Sequence, residues 1–138
     1  MTLFYVDASV VGHALLADGD PRASAWLNQA SRDGCHLISS RLIRLELTRL
    51  ARREGLALSW VAEAAARLDL VTLDEAALGQ AEGIEQHVKS LDAIHLGTAL
   101  SVDPALTVVS HDGVMLRVAD ELGFPTLDPL AAASDPDP

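Results

Sequence analysis

Short apolar runs alternate with helix-length amphipathic stretches along this chain, and that alternation limits it to few folds. The runs are Leu3-Phe4-Tyr5-Val6, His36-Leu37-Ile38-Ser39, Leu70-Val71-Thr72-Leu73, Leu106-Thr107-Val108-Val109-Ser110 and Phe124-Pro125-Thr126-Leu127. They are rich in branched and aromatic residues and are bounded by Asp, Gly or Ser, as strands are. Pro125 restricts the last run to a sheet edge. Strands that alternate with helices build an α/β three-layer domain, Rossmann-like, with a mostly parallel sheet of about five strands.

The helical stretches carry their own punctuation. Val10 to Leu16 follows the first run. Pro21 suits a first turn, and the helix continues through Ala30. Arg41 to Glu54 has an apolar stripe of Leu42, Ile43, Leu45, Leu47 and Leu50, with Ser40 as N-cap and Gly55 as C-terminal stop. Leu58 to Leu68 is amphipathic. Asp74 caps Glu75 to His87, and Ser90 caps a helix from Leu91 to about Ser101. Asp112 opens a helix that ends at Gly123. Residues 1–130 therefore read as one domain. The tail from Ala131 to Pro138 is small, acidic and Pro-rich, and reads as disordered.

Composition removes several chemistries. The chain is 49% hydrophobic, with a mean hydropathy of +0.22, so a sizeable core is available. Only 4% is aromatic, so Leu, Val and Ala build that core. Cys35 is the only cysteine, which excludes an intramolecular disulfide and a cysteine zinc cluster, and it reads as a buried thiol. Asp7 interrupts any N-terminal apolar stretch, and no run reaches the roughly 18 apolar residues of a membrane span. A cytoplasmic protein with no membrane association is expected. Neither G-x-G-x-x-G after a strand, nor G-K-[ST], nor G-x-S-x-G is present.

What remains is acid. The net charge is −10 and the sequence pI is about 4.7, which argues against loose electrostatic coating of nucleic acid. It leaves open an enzyme whose acids hold cations, because the cation reverses the local field. Asp7 stands at the end of the first run, where an open α/β sheet binds ligands. Asp112 follows the fourth run in the same way, through Ser110 and His111. Both also suit plain helix caps. Glu46 has Leu42, Ile43, Arg49 and Leu50 as its helical neighbours, so it lies on or beside the buried stripe. An edge pair with Arg49 is the competing reading. Asp92 sits in the first turn of an almost wholly apolar helix, which turns it towards the protein or a cleft. Ordinary helix-start chemistry is its alternative. Gly97, in that helix, suits close packing. Carboxylates without clustered His or Cys suit Mg²⁺ or Mn²⁺.

The residues Tyr5-Val6-Asp7-Ala8-Ser9, Ser40 to Leu47, Leu91-Asp92-Ala93-Ile94-His95-Leu96-Gly97-Thr98-Ala99 and Val109-Ser110-His111-Asp112 together resemble a PIN-domain ribonuclease, and specifically a VapC-type toxin of bacterial toxin–antitoxin pairs. The four pieces occur in the family's order and span nearly the whole domain. The resemblance implies a metal-dependent endoribonuclease. It implies that Asp7, Glu46, Asp92 and Asp112 are the acidic site, with Asp7, Asp92 and Asp112 holding the metal. Ser9 and Ser110 match small polar positions that order the site. It also implies a structured RNA substrate, such as transfer or ribosomal RNA, and neutralisation by a small cognate antitoxin.

One departure is the acidity. Nine of the ten basic residues are arginine, and Arg41, Arg44, Arg49, Arg52 and Arg53 crowd one helix and its end. That helix is a candidate contact for RNA or antitoxin, or a solvated face. His95 reads as a satisfied interior histidine beside the site. His111 should point away from it. His13, His36 and His87 have no metal-ligand spacing. Trp26 and Trp60 read as packing residues. The apolar stripe of Leu58 to Leu68 suggests a homodimer. Two other classes stay open. One is a different Mg²⁺-dependent acidic α/β phosphohydrolase or phospho-acceptor domain. The other is a PIN-like binding module without turnover.

Overall fold

The computed structural model describes residues 2–131, and the expected disorder of the tail beyond Ala131 lies outside them. In chain order the elements are β1 (Leu3–Val6), α1 (Ala8–Leu15), α2 (Pro21–Arg32), β2 (His36–Ser40), α3 (Leu42–Glu54) and α4 (Leu58–Ala65). They continue as β3 (Asp69–Val71), α5 (Glu75–Glu82), α6 (Ser90–Val102), β4 (Thr107–Val109), α7 (Gly113–Glu121) and β5 (Thr126–Leu127). Each expected strand and helix is present. The sheet has the order β3-β2-β1-β4-β5 and every pairing is parallel.

Parallel strands require crossovers, and the helices in those crossovers cover both faces. Side chains alternate along the strands accordingly. Phe4, Val6, Leu37 and Val109 pack on one face with α1, α2, α3 and α4 through Val10, Leu27, Ile43, Leu47 and Val61. Tyr5, Ile38 and Val108 pack on the other with α6 and α7 through Leu96, Ala99, Met115 and Val118. This is the three-layer α/β/α arrangement.

β1 is the central strand. It pairs with β2 on one side and β4 on the other, with Tyr5 opposite both Ile38 and Val108. The chain leaves β1 in one direction and returns on the other side, so the crevice at the carboxyl ends of β1 and β4 is a topological switch point. The Asp7 N–H donates to the Val109 carbonyl (2.9 Å), so pairing runs to the last residue before the crevice.

Several local expectations change. The inward stripe of α3 is Ile43, Leu47 and Ala51, while Leu45 is 55% exposed. A 100° step per residue cannot seat Leu45 beside both Ile43 and Leu47. α5 stops at Glu82, well before His87. Gly79 and Gly83 weaken the helix, and Ile84 and Val88 turn in to pack on the core. α6 starts at Ser90 itself, with Lys89 as its N-cap and no side-chain cap bond. Ser40 does cap α3 from the end of β2, accepting the Leu42 N–H at 3.0 Å. Asp74 caps α5, and Gly55 closes α3 at φ 69°. Cys35 is half-buried, at the edge of the core. Trp26 packs edge-on against Phe4, as expected of a core aromatic. Trp60 is 44% exposed and does not.

Gly97 is where α6 meets α5. A Cβ there would stand 2.6 Å from both the Ala77 carbonyl oxygen and the Ala81 nitrogen. Only glycine permits that backbone approach.

Candidate active site

Asp7 is the buried member of the acidic set, with 5% of its surface exposed. It stands as N-cap of α1, but its side chain caps nothing. Its Oδ2 instead accepts hydrogen bonds from Ser9 Oγ (2.8 Å) and Ser110 Oγ (2.9 Å). The two hydroxyls lie 3.2 Å apart. Ser9 Oγ also accepts the His111 N–H, and Ser110 Oγ accepts the Asp112 N–H. These bonds tie the end of β1 to the end of β4 and fix one oxygen of Asp7. Its Oδ1 accepts no hydrogen bond among the described residues and lies 4.0 Å from His95 Nε2.

Asp112 caps α7, so the capping reading of this residue is correct. Its Oδ1 accepts the Val114 and Met115 N–H groups, at 2.9 and 3.2 Å. Glu46 faces inward from α3 and does not pair with Arg49. Its Oε1 takes His95 Nε2 at 2.5 Å. Asp92 lies half-buried in the first turn of α6. Burial pushes its carboxyl up to about 6, and the charges of Asp7 and Asp112, with a smaller part from Glu46, push the same way; His95 opposes them. Each of the other three acids is therefore felt at Asp92.

His95 is more than an interior filler. Burial alone would lower its pKa, but the Glu46 hydrogen bond and the charges of Glu46, Asp7 and Asp92 outweigh it and raise the value. Its Nδ1 meets Tyr5 Oη at 2.6 Å. Burial holds the Tyr5 phenol well above its ordinary range, so it acts only as a neutral hydroxyl. Sequence spacing could not pair His95 with Tyr5, 90 residues away. His111 also has partners that the sequence hid. Its Nδ1 meets the Asp128 carboxylate at 3.0 Å, and its ring packs edge-on against His13.

Arg41 at the N-cap of α3, and Arg44 and Arg49 on it, are exposed and hold no ion pair among the described residues. None of them joins the acids. A separate groove of about 420 Å³ lies between α1, α2 and α4, lined by Val11, Leu15, Leu27, Trp60 and Ala64 with Arg67 at its rim. None of the four acids lines it.

The family model of the PIN domain matches residues 4–121. The chain belongs to the PIN-domain family. PIN domains are nucleases, and the crevice at the ends of β1 and β4 carries this PIN domain's acids. Solved structures agree on the fold. A chain of FitAcB from Neisseria gonorrhoeae is 16% identical, with a TM-score of 0.65 over 95% of this chain and 100% of that one. A chain of VapBC2 from Rickettsia felis, solved bound to a DNA fragment from its promoter, is 9% identical, with a TM-score of 0.70 over 92% and 98%. A chain of FitAB bound to an IR36 DNA fragment is 17% identical, with a TM-score of 0.56 over 93% and 95%. Among proteins of curated function, none matches this sequence.

Carboxylate oxygens are the ligand type that a hard divalent cation takes. The acidic set of this PIN domain is all carboxylate oxygen, it contains no thiol, and its members repel one another. Among the described residues, no group of three or more His, Cys, Asp or Glu side chains stands close enough together to hold one metal ion. No described helix is long and apolar enough to cross a membrane.

Proposed function

We propose that this PIN domain is a Mg²⁺- or Mn²⁺-dependent endoribonuclease and the toxin of a cytoplasmic toxin–antitoxin pair. The observation that carries the reading is the buried Asp7 carboxylate, one oxygen held by two serine hydroxyls and the other without a hydrogen bond among the described residues, in a crevice where burial and then the charges of Asp7, Asp112 and Glu46 push the Asp92 carboxyl up to about 6. A protein keeps mutually repelling acids in one crevice at a cost, and a bound cation offsets that cost. Asp7, Asp92 and Asp112 would hold the ion, with Glu46 completing the site. When bound, a divalent ion there neutralises phosphodiester charge and makes water more acidic.

The chain's own residues do the positioning. Ser9 and Ser110 hold one oxygen of Asp7, which leaves the other for a ligand. The α7 N-terminus takes one oxygen of Asp112. The exposed arginines of α3 supply phosphate contacts that the acidic crevice cannot, so we assign Arg41, Arg44 and Arg49 to the RNA. A structured RNA, of the transfer or ribosomal class, is the substrate implied by the VapC-type resemblance.

The antitoxin has a different place. The groove beside Trp60 is solvent-open, lined by aliphatic side chains together with Glu63 and Arg67, and not lined by any of the four acids. The chain's net charge of −10 favours a basic partner. The homodimer expected from the Leu58–Leu68 stripe has less surface available, because Val61, Ala65 and Leu68 are buried within the chain. We therefore assign the groove to the antitoxin. Sedimentation of the isolated chain decides between this and a dimer through the same surface.

The test is Asp7→Asn. Asn keeps an oxygen for the two serine hydroxyls, so the fold should survive. RNA cleavage with Mn²⁺ should disappear. Full activity in a folded variant would sink the mechanism. Mn²⁺ binding by wild type without RNA cleavage would favour the binding module, and covalent phosphorylation of Asp7 by a small phosphodonor would favour the phospho-acceptor reading.

A further inference from the structure

His95 is wholly buried, yet both of its ring nitrogens are engaged. Tyr5 Oη, 2.6 Å from Nδ1, also accepts the Ser40 N–H at 3.0 Å. A carboxylate can only accept, so the ring position facing Glu46, Nε2, carries a hydrogen. Once the ring is neutral, Nδ1 is bare and accepts from Tyr5, while the ring's own hydrogen stays on Nε2. That hydrogen points at Glu46 Oε1, 2.5 Å away. The relay joins four elements: Ser40 at the end of β2, Tyr5 on β1, His95 on α6 and Glu46 on α3.

Among the described residues, every buried side-chain nitrogen and oxygen is hydrogen-bonded, so the ring cannot flip without orphaning a group. Glu46 has more freedom, since its side chain is 21% exposed and can swing to water. The histidine is what opposes that swing. We infer that His95, seated between Tyr5 and Glu46, is a positioning residue that holds the Glu46 carboxylate in place at the acidic centre. The consequence for cation binding rests on the metal-site reading above; the order of hydrogen bonds does not.

A histidine that merely filled space would be replaced equally well by any side chain of similar volume. A positioning histidine would not. Gln at 95 can place an amide N–H where Nε2–H stood, while Leu cannot.

Two measurements on the full chain test the inference. The first is ¹⁵N NMR of the His95 ring in alkaline buffer. Once neutral, the wild-type ring should show Nε2 protonated and Nδ1 bare. A neutral wild-type ring with its hydrogen on Nδ1 overturns the inference, and needs no variant to do so. The second is calorimetric titration with Mn²⁺. His95→Gln should bind within about threefold of wild type and His95→Leu about tenfold or more weaker, the scale that outer-shell partners have at metal sites. His95→Leu combined with Glu46→Gln should bind no more weakly than Glu46→Gln alone. Equal binding by the Leu and Gln variants, or additive losses in the pair, overturns the inference. The expected tautomer without any Mn²⁺ uptake by wild type would overturn the metal reading and leave the hold of His95 on Glu46 standing.

Discussion

Ser110 and Asp7, separated by 103 positions in the sequence, are joined by one hydrogen bond of 2.9 Å from Ser110 Oγ to Asp7 Oδ2. The same oxygen of Ser110 accepts the Asp112 N–H. One hydroxyl thus orients a carboxylate at the end of β1 and the backbone entering α7.

Ser110→Ala removes both bonds at once. A hydrogen bond to a buried charged group contributes about 1.5–3 kcal/mol, and the Ser9 bond to the same oxygen survives. The expected loss is about 2 kcal/mol in urea unfolding. Mn²⁺ affinity should fall with it, because Asp7 becomes free to turn. Unchanged stability and unchanged Mn²⁺ binding would show that the serine does not order the site.

Asp92 gives the site a pH dependence with a definite sign. Its carboxyl is raised from 3.8 to about 6 in the fold, by burial and by its acidic neighbours. The folded chain therefore holds the Asp92 proton more tightly than the unfolded chain does. That contribution is fully present below pH 3.8 and is lost as pH rises through about 6. Asp92→Asn removes the charge and keeps the shape. In metal-free protein it should raise Tm at pH 7 and change it little near pH 4. Saturating Mn²⁺ should reverse the order at pH 7, since only the wild type gains the ion's binding energy. Calorimetric melts at the two pH values, with and without Mn²⁺, check both halves. A variant less stable than wild type at pH 7 without metal would contradict the repulsion.

Gly97→Ala sets two known effects against each other. Alanine favours a helix interior by about 1 kcal/mol over glycine. Its Cβ, however, would stand 2.6 Å from backbone atoms of α5, which cannot move aside as a side-chain tip can. Overpacking of that kind costs about 1–3 kcal/mol, and contacts below 3.0 Å to backbone belong at the upper end. Net destabilisation of about 1–2 kcal/mol is expected in chemical denaturation, together with lower Mn²⁺ affinity as α6 shifts and carries Asp92 with it. A stabilised variant would mean that α5 gives way freely.

The sequence carried the parts of this fold that follow a period. Strand runs and helix caps at Asp74 and Asp112 were readable from local pattern. Glu46 was readable too, because Leu42, Ile43 and Leu50 at helical spacing turned it inward. What local pattern could not supply was pairing at long range. Tyr5 with His95 and His111 with Asp128 are contacts made by tertiary packing, with no periodic signal. The end of α5 was misplaced for a related reason: Ile84 and Val88 continue a helical pattern, but the core draws them in as a loop. Leu45 looked like core because apolar residues flank it, and only the geometry of α3 sends it to solvent.

The arginines of α3 yield a prediction that separates RNA contact from a solvated face. Arg41, Arg44 and Arg49 are exposed and make no ion pair among the described residues, so replacing all three by Gln should leave stability within about 0.5 kcal/mol. RNA binding should weaken, and its salt dependence should weaken with it. Each phosphate contact on a single strand contributes about −0.7 to the slope of log K against log salt, so losing three contacts flattens the slope by about 2. Binding measured at several salt concentrations, on the inactive Asp7→Asn background to prevent cleavage, gives that slope. A lower affinity with an unchanged slope would assign the loss to altered shape. No change in either quantity would return the arginines to the solvent and move the RNA to another face of the PIN domain.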